Sequence, residues 1–238
     1  MERPHIVLIM ADHLRRDSLT CYNAESQVRT PNLDALSRES VVFDRAYCAT
    51  PLCAPTRCSM YTGKWSHTHG AITNSDRVGP SHGILPEVLD EAGYGITQMG
   101  VHHLQTEPRV SERVPDARFL ADLGYDEHCA ENDIGFGPAI RDMLVPNVDF
   151  LHGKPVAYMR PQARKAMFPH PAEDYKDVFW SRRMVEQLRS LETGQPQYVE
   201  ALFWAPHPPL SVPEPYYSMY PESEVELPET VGRWYAGQ

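Results

Sequence analysis

His5-Ile6-Val7-Leu8-Ile9-Met10, followed at once by Ala11-Asp12-His13, is the stretch that decides the fold. A short unbroken apolar run predicts a strand buried on both faces, as in a parallel sheet. An acid and an imidazole stand directly after it. The arrangement recurs twice. Gly95-Ile96-Thr97-Gln98-Met99-Gly100 predicts a second strand, with Val101-His102-His103 behind it, and Tyr198 to Trp204 predicts a third, with Ala205-Pro206-His207 behind it. In open α/β sheets ligands gather beyond the carboxyl ends of the strands. Each predicted strand there delivers a group able to do chemistry, Asp12, His103 or His207, so the three point to one common site.

Helical patterns separate these strands. One fits Pro31 to about Glu39, with Thr30 as N-cap, Pro31 at the first helical position and Leu33 and Leu36 on one face. A second runs from Pro55 to Tyr61, with Gly63 near its end, and a third from Leu85 to Ala92, stopped by Gly93. The longest runs from Ala172 to Leu191, with Tyr175, Val178, Phe179, Val185 and Leu188 roughly on one side. Residues 105–170 are rich in Pro, Arg, Asp and Gly, without a repeat, and predict an irregular insertion with short elements. From Pro208 onward many prolines predict extended loop. Strands alternating with helices give the fold class: α/β, with a mostly parallel central sheet flanked by helices.

The 238 residues suit one large domain or most of one. Apolar residues make up 42% and charged residues 23%, ordinary for a globular protein. No run of about 18 apolar residues exists, so no membrane span is expected. Met1-Glu2-Arg3-Pro4-His5 lacks the pattern of a signal peptide, and the cytoplasm is the expected location. The net charge of -10 argues against a nucleic-acid binder, and it requires a local positive site for any anionic substrate. Five cysteines, an odd number, do not suggest a disulfide framework, and the five-residue spacings Cys48/Cys53 and Cys53/Cys58 do not form a zinc knuckle. The plain reading of any one of them is a small buried apolar side chain.

Cys53 stands apart. It opens Cys53-Ala54-Pro55-Thr56-Arg57, continued by Cys58-Ser59-Met60-Tyr61-Thr62-Gly63. A helix opening near Pro55 would present backbone N–H groups and the positive end of its dipole, which favour an anion. Arg57, one turn on, offers a charged fork for oxyanions. The competing reading is a structural cysteine ahead of a Pro-initiated helix.

The stretch resembles the signature of the sulfatase family: Cys or Ser, any residue, Pro, any residue, Arg, and Thr-Gly five residues after the Arg. Every fixed position is present. The resemblance extends through residues 5–104, including Thr30-Pro31-Asn32-Leu33-Asp34-Ala35-Leu36 and Leu85-Pro86 with Leu89 and Ala92-Gly93-Tyr94. It resumes at Tyr198–Tyr220, where Pro206-His207-Pro208-Pro209 is similar to a family stretch with an active-site histidine. It implies an alkaline-phosphatase-like fold and a nucleophile formed when a formylglycine-generating enzyme oxidises Cys53 to formylglycine. It further implies a divalent metal held by Asp12, His13 and the modified Cys53, charge stabilisation by Arg57, substrate contact by Asn74, and catalysis by His103 and His207. Ca²⁺ is the expected ion. Mg²⁺ also suits the Asp12 oxygen; His13 stands where sulfatases often carry a second Asp, which opens the site to Mn²⁺ or Zn²⁺ unless His13 turns away. Taken alone, Asn74 reads as a turn residue, His67 and His69 as solvated loop histidines, and His102 as a supporting or exposed one.

The implied substrate is a sulfate ester of a small molecule or glycan. One departure matters: Gly100-Val101-His102-His103-Leu104 carries Val101 where sulfatases carry a lysine. With His207-Pro208-Pro209 through Pro215-Tyr216-Tyr217-Ser218-Met219-Tyr220, Val101 is closer to the phosphonate monoester and phosphodiester hydrolases of the same superfamily. A third reading is an inactive fragment or binding module. The family's second metal pair follows a later strand, and nothing after His207 has that pattern. The C-terminal part of the domain is therefore expected to be missing, leaving residues 1–238 with weak metal binding and little activity alone. The oligomeric state and the organic part of the substrate are left open.

Overall fold

A computed structural model of the chain describes residues 3–134, 144–149, 154–159, 166–191, 194–208 and 210–226. Its strands are β1 (Ile6–Ala11), β2 (Gly95–Gly100), β3 (Arg118–Leu120), β4 (Leu144–Asp149), β5 (Lys154–Met159), β6 (Ala166–Met167), β7 (Gln197–Phe203) and β8 (Ser211–Val212). The α-helices are α1 (Pro31–Arg38), α2 (Cys53–Thr62), α3 (Ser66–His69), α4 (Leu85–Glu91), α5 (Val110–Arg113), α6 (Tyr125–Glu131) and α7 (Lys176–Arg189). They fall into two compact units. The first comprises residues 1–14, 41–135 and 176–208, and the second residues 15–40, 136–175 and 209–238.

The first unit is built on a parallel sheet in the order β1-β7-β2-β3. Its register positions the chemistry. Met10 of β1 and Gly100 of β2 both pair with Leu202 of β7, so the three strands end at one level. Side chains alternate across the pleat. Met99, Val199 and Ala201 pack with Trp180 and Met184 of α7 and with Leu123 and Tyr125 at α6. On other positions Ile96 and Tyr198 join Tyr94 and Val114. Cys58 and Tyr61 of α2 are buried with Ala71, Val78, Ile84, Leu104 and Val110. Each fully buried large side chain contributes about 1.5–3 kcal/mol relative to exposure.

Several expectations shift. β1 is parallel, as its sequence predicts, but it borders the described sheet, and Val7 and Ile9 are 48% and 66% exposed rather than buried on both faces. Helix α2 starts at Cys53, two residues before Pro55, because Pro55 fits the first turn without needing its missing N–H. The stretch from residue 105 carries α5, β3 and α6, and β3 pairs with β2 from Thr97↔Arg118 to Met99↔Leu120. Residues 135–143, 150–153 and 160–165 of the expected insertion lie outside the described residues.

In the second unit, Thr30 does not cap α1 through its side chain; its hydroxyl bonds the Asp34 carboxylate at 3.1 Å, which also accepts from Thr20. β4 and β5 form an antiparallel pair, and β6 lies parallel to β8. The expected extended tail thus begins with a short paired strand and turns, and residues 227–238 lie outside the described residues. The long helix expected from Ala172 is divided. A 3-10 turn spans Ala172–Asp174, Tyr175 is extended at φ -69° and ψ 132°, and α7 starts at Lys176. No helix among the described residues is long and apolar enough to cross a membrane.

Candidate active site

The level strand ends bring three short segments together in the first unit. β1 delivers Asp12, which is 8% exposed and whose N–H donates to Phe203 O at 3.3 Å. β2 delivers Val101, His102 and His103. Gly100 makes the exit from β2 possible: its φ is +81°, and a Cβ there would stand 2.1 Å from Leu202 O. β7 delivers Trp204 to His207. The Asp177 carboxylate, in the first turn of α7, accepts the N–H of Trp204 at 2.8 Å and of Ala205 at 3.2 Å, and His207 N–H closes onto Trp204 O at 3.0 Å.

Helix α2 docks onto these ends through Arg57, which is 3% exposed. Its Nη1 donates to Val101 O at 2.7 Å and His102 O at 3.1 Å, and its Nη2 lies 3.4 Å from Asp12 Oδ2. The expected substrate fork is thus directed largely at the protein: Arg57 ties α2 to the β2 exit and to Asp12. Tyr61, four residues on, gives a second anchor by donating to the fully buried Glu200 at 2.7 Å. Asn74 Oδ1 accepts the N–H of Ala54 at 3.0 Å, and Asn74 O accepts from Gln105 Nε2 at 2.8 Å. Asn74 therefore holds the start of α2, which Leu52 does not cap.

Cys53 lies in the midst of these groups, with Sγ 3.8 Å from Asp12 Oδ1. Burial, then the Asp12 carboxylate, pushes its thiol pKa upward, with Arg57 opposing. A catalytic thiolate needs the reverse. The His13 ring stands 4.3 Å from that of His207, centroid to centroid, with Nε2 3.9 Å from Asp12 Oδ1. Trp204 lies between histidines, 4.3 Å from the His207 ring and edge-on at 6.2 Å from His103. Burial, aided by Arg57, lowers the His103 pKa. Burial, with His103 and Arg57, brings that of His102 to about 4.

Metal-binding chemistry fits this donor set. Asp12, Cys53 and His103 each place one donor atom within 4.8 Å of the others, and so do His13, Cys53 and His207. A carboxylate oxygen suits a hard divalent cation, and imidazoles extend the range to Mn²⁺ or Zn²⁺. Every candidate residue of the sequence, Asp12, His13, Cys53, Arg57, Asn74, His103 and His207, belongs to this cluster or directly supports it.

Sequence reasoning missed Asp177, Trp204 and Glu200. Only Glu200 left a trace, as a lone carboxylate inside the apolar run Tyr198 to Phe203. It also misplaced His69, which is 2% exposed rather than solvated. His69 Nε2 lies 2.9 Å from Ser59 Oγ, and its Nδ1 accepts from Ala71 N–H at 3.1 Å.

The family model described as Sulfatase matches residues 4–232. The chain belongs to the sulfatase family. An arylsulfatase of Clostridium perfringens is 26% identical to this sulfatase-family chain over 254 residues, covering 98% of it and 49% of the relative. The multifunctional alkaline phosphatase superfamily protein PehA of Trinickia caryophylli is 26% identical over 248 residues, covering 96% of the chain and 46% of the relative. The chain thus spans about half the length of these relatives. Among solved structures, the phosphonate monoester hydrolase SpPMH from Silicibacter pomeroyi aligns with a TM-score of 0.72 at 23% identity, over 95% of this chain and 46% of that one. The fold expected for a sulfatase, a mostly parallel central sheet with flanking helices, alkaline-phosphatase-like, is therefore the fold observed.

Proposed function

We propose that this chain carries the nucleophile side of a sulfuric ester hydrolase, with position 53 as its centre. The observation that carries the reading is the placement of Cys53 at the first turn of α2, beside Asp12, above Arg57 and facing the β2 and β7 exits with His103 and His207. The thiol is held protonated by burial and by Asp12, which disfavours thiolate catalysis and favours use of the position after oxidation. Formylglycine at position 53 would supply the attacking oxygen, and a divalent ion on Asp12, position 53 and the nearby imidazoles would supply its activation. Calcium is the family's expected ion; Mg²⁺ would likewise suit the Asp12 oxygens, and Mn²⁺ or Zn²⁺ the imidazoles.

The chain's own residues then have distinct tasks. Arg57, fixed by two carbonyls and Asp12, is a permanent positive charge behind the reacting centre. Asn74 keeps the first turn of α2 in place by accepting the Ala54 N–H, and its amide is the proposed substrate contact. His207, braced by Asp177 and Trp204, gives a proton to the leaving oxygen, and His103 holds hydrogen bonds on the substrate side. The substrate class is a sulfate ester of a small molecule or glycan, and a formylglycine-generating enzyme is the required partner.

One observation favours a second reading. Val101 occupies the position of the sulfatase lysine and packs against the apolar cluster around Trp180 and Met184, so it gives no cation to a substrate oxyanion. A phosphonate monoester or phosphodiester hydrolase fits that lack. Comparing kcat/KM for an aryl sulfate and a phenyl phosphonate ester, on protein oxidised at position 53, tests the choice. A larger value for the sulfate is expected; a larger value for the phosphonate establishes the second reading.

A further inference from the structure

A cavity of about 420 Å³ in the first unit is separate from the cluster around Cys53 and has the wrong charge for its surroundings. The chain carries 32 Asp and Glu against 22 Lys and Arg. Yet the cavity is lined by Arg77, Arg109, His102 and Ser111 over an apolar floor that includes Leu104 and Phe119, and no carboxylate among the described residues lines it. Arg77 pairs with Glu107 at 3.3 Å, but both are well exposed, where such a pair contributes about 0–1 kcal/mol and neutralises little. The Arg109 guanidinium has no hydrogen bond or ion pair among the described residues. His102 Nδ1 accepts the N–H of Leu104 at 3.1 Å, which places the imidazole proton on Nε2 as a donor.

The frame is preorganised. Val78 and Thr106 form a parallel bridge, with Val78 N–H on Gln105 O at 2.9 Å and Glu107 N–H on Val78 O at 2.8 Å. The two arginine-bearing segments are thereby held side by side. Guanidinium groups, an imidazole N–H and a hydroxyl are the donors that recognise an oxyanion, and the floor offers apolar contact to whatever carries it.

We propose that this cavity is a binding site for an organic oxyanion, a sulfonate, sulfate or carboxylate borne on an apolar ring. The wall it shares with the candidate active site is the segment from His102 to Gln105, whose His102 O holds Arg57 and whose Gln105 holds Asn74. The proposal stands independently of the hydrolytic reading.

Benzenesulfonate and inorganic sulfate, titrated into the isotope-labelled chain and followed by amide NMR shifts, provide the test. Benzenesulfonate should move the amides of Gln105, Ser111 and Phe119 and bind about tenfold tighter than inorganic sulfate. Arg77→Ala with Arg109→Ala should weaken it about tenfold or more while leaving the melting temperature in place. Shifts confined to the start of α2, equal affinity for the two anions, or unchanged affinity in the double variant would each overturn the proposal. None of those outcomes bears on oxidation of Cys53, and failure of that oxidation would leave the expected shifts untouched.

Discussion

Position 57 shows how residue identity and residue use separate. The signature marks Arg57 as a charged fork for oxyanions, but in the folded chain the fork grips Val101 O, His102 O and Asp12. Non-local carbonyls leave no mark in sequence, so this use was not legible. The same holds for His69, whose burial depends on Ser59 and Ala71 coming round to meet it. His102 yields a prediction at this scale. Its folded pKa is about 4 against an ordinary 6.5, because burial, His103 and Arg57 disfavour the cation. Between those values the unfolded chain binds a proton that the folded chain does not. Stability should therefore fall as pH drops from about 6.5 toward 4. In His102→Asn, which keeps an acceptor for Leu104 N–H, denaturant unfolding at pH 7 and pH 5 should show a smaller loss than in the parent; an equal loss contradicts the assignment.

At the scale of elements, the legible parts were those with strong local punctuation. β1 is a short apolar run and β7 a mostly apolar one, β2 is a short run set between Gly95 and Gly100, and α2 lies between a Pro in its first turn and Gly63, which takes φ 65°. β3 was not legible, since three residues opening with Arg118 carry no period, and its pairing with β2 alone makes it a strand. The break at Tyr175 escaped because the apolar side continues across it while the backbone does not. Asp177 shows what sequence order cannot reveal: the first turn of α7 caps the exit of β7, 27 residues away from Trp204. Asp177→Ala removes the acceptor of two amides in a partly buried turn and should cost about 1–3 kcal/mol, with Asp177→Asn costing less because one oxygen remains. Denaturant unfolding of both variants, with Trp204 as a fluorescent reporter, checks the order; equal losses in the two variants would argue against the capping role.

Over the whole molecule, the first unit is a device for bringing distant segments to one level. Met10 and Gly100 both pair with Leu202, so Asp12, His103 and His207, nearly two hundred residues apart at the extremes, leave the sheet together. Arg57 and the Tyr61–Glu200 bond press α2 onto that sheet and bring Cys53 to the exits. The convergence itself was legible, because three predicted strands each ended in a reactive group; its supports, Asp177, Glu200 and Trp204, were not, because they act through backbone amides and buried contacts. All of this converges on position 53, where a protonated thiol has little use as a nucleophile. Mass spectrometry of the peptide containing Cys53, from cells whose formylglycine-generating enzyme converts a control sulfatase, tests the central claim most directly. The peptide should be lighter than its thiol form and should react with a hydrazide, as an aldehyde does. A Cys53 peptide recovered wholly as thiol from those cells would contradict the account.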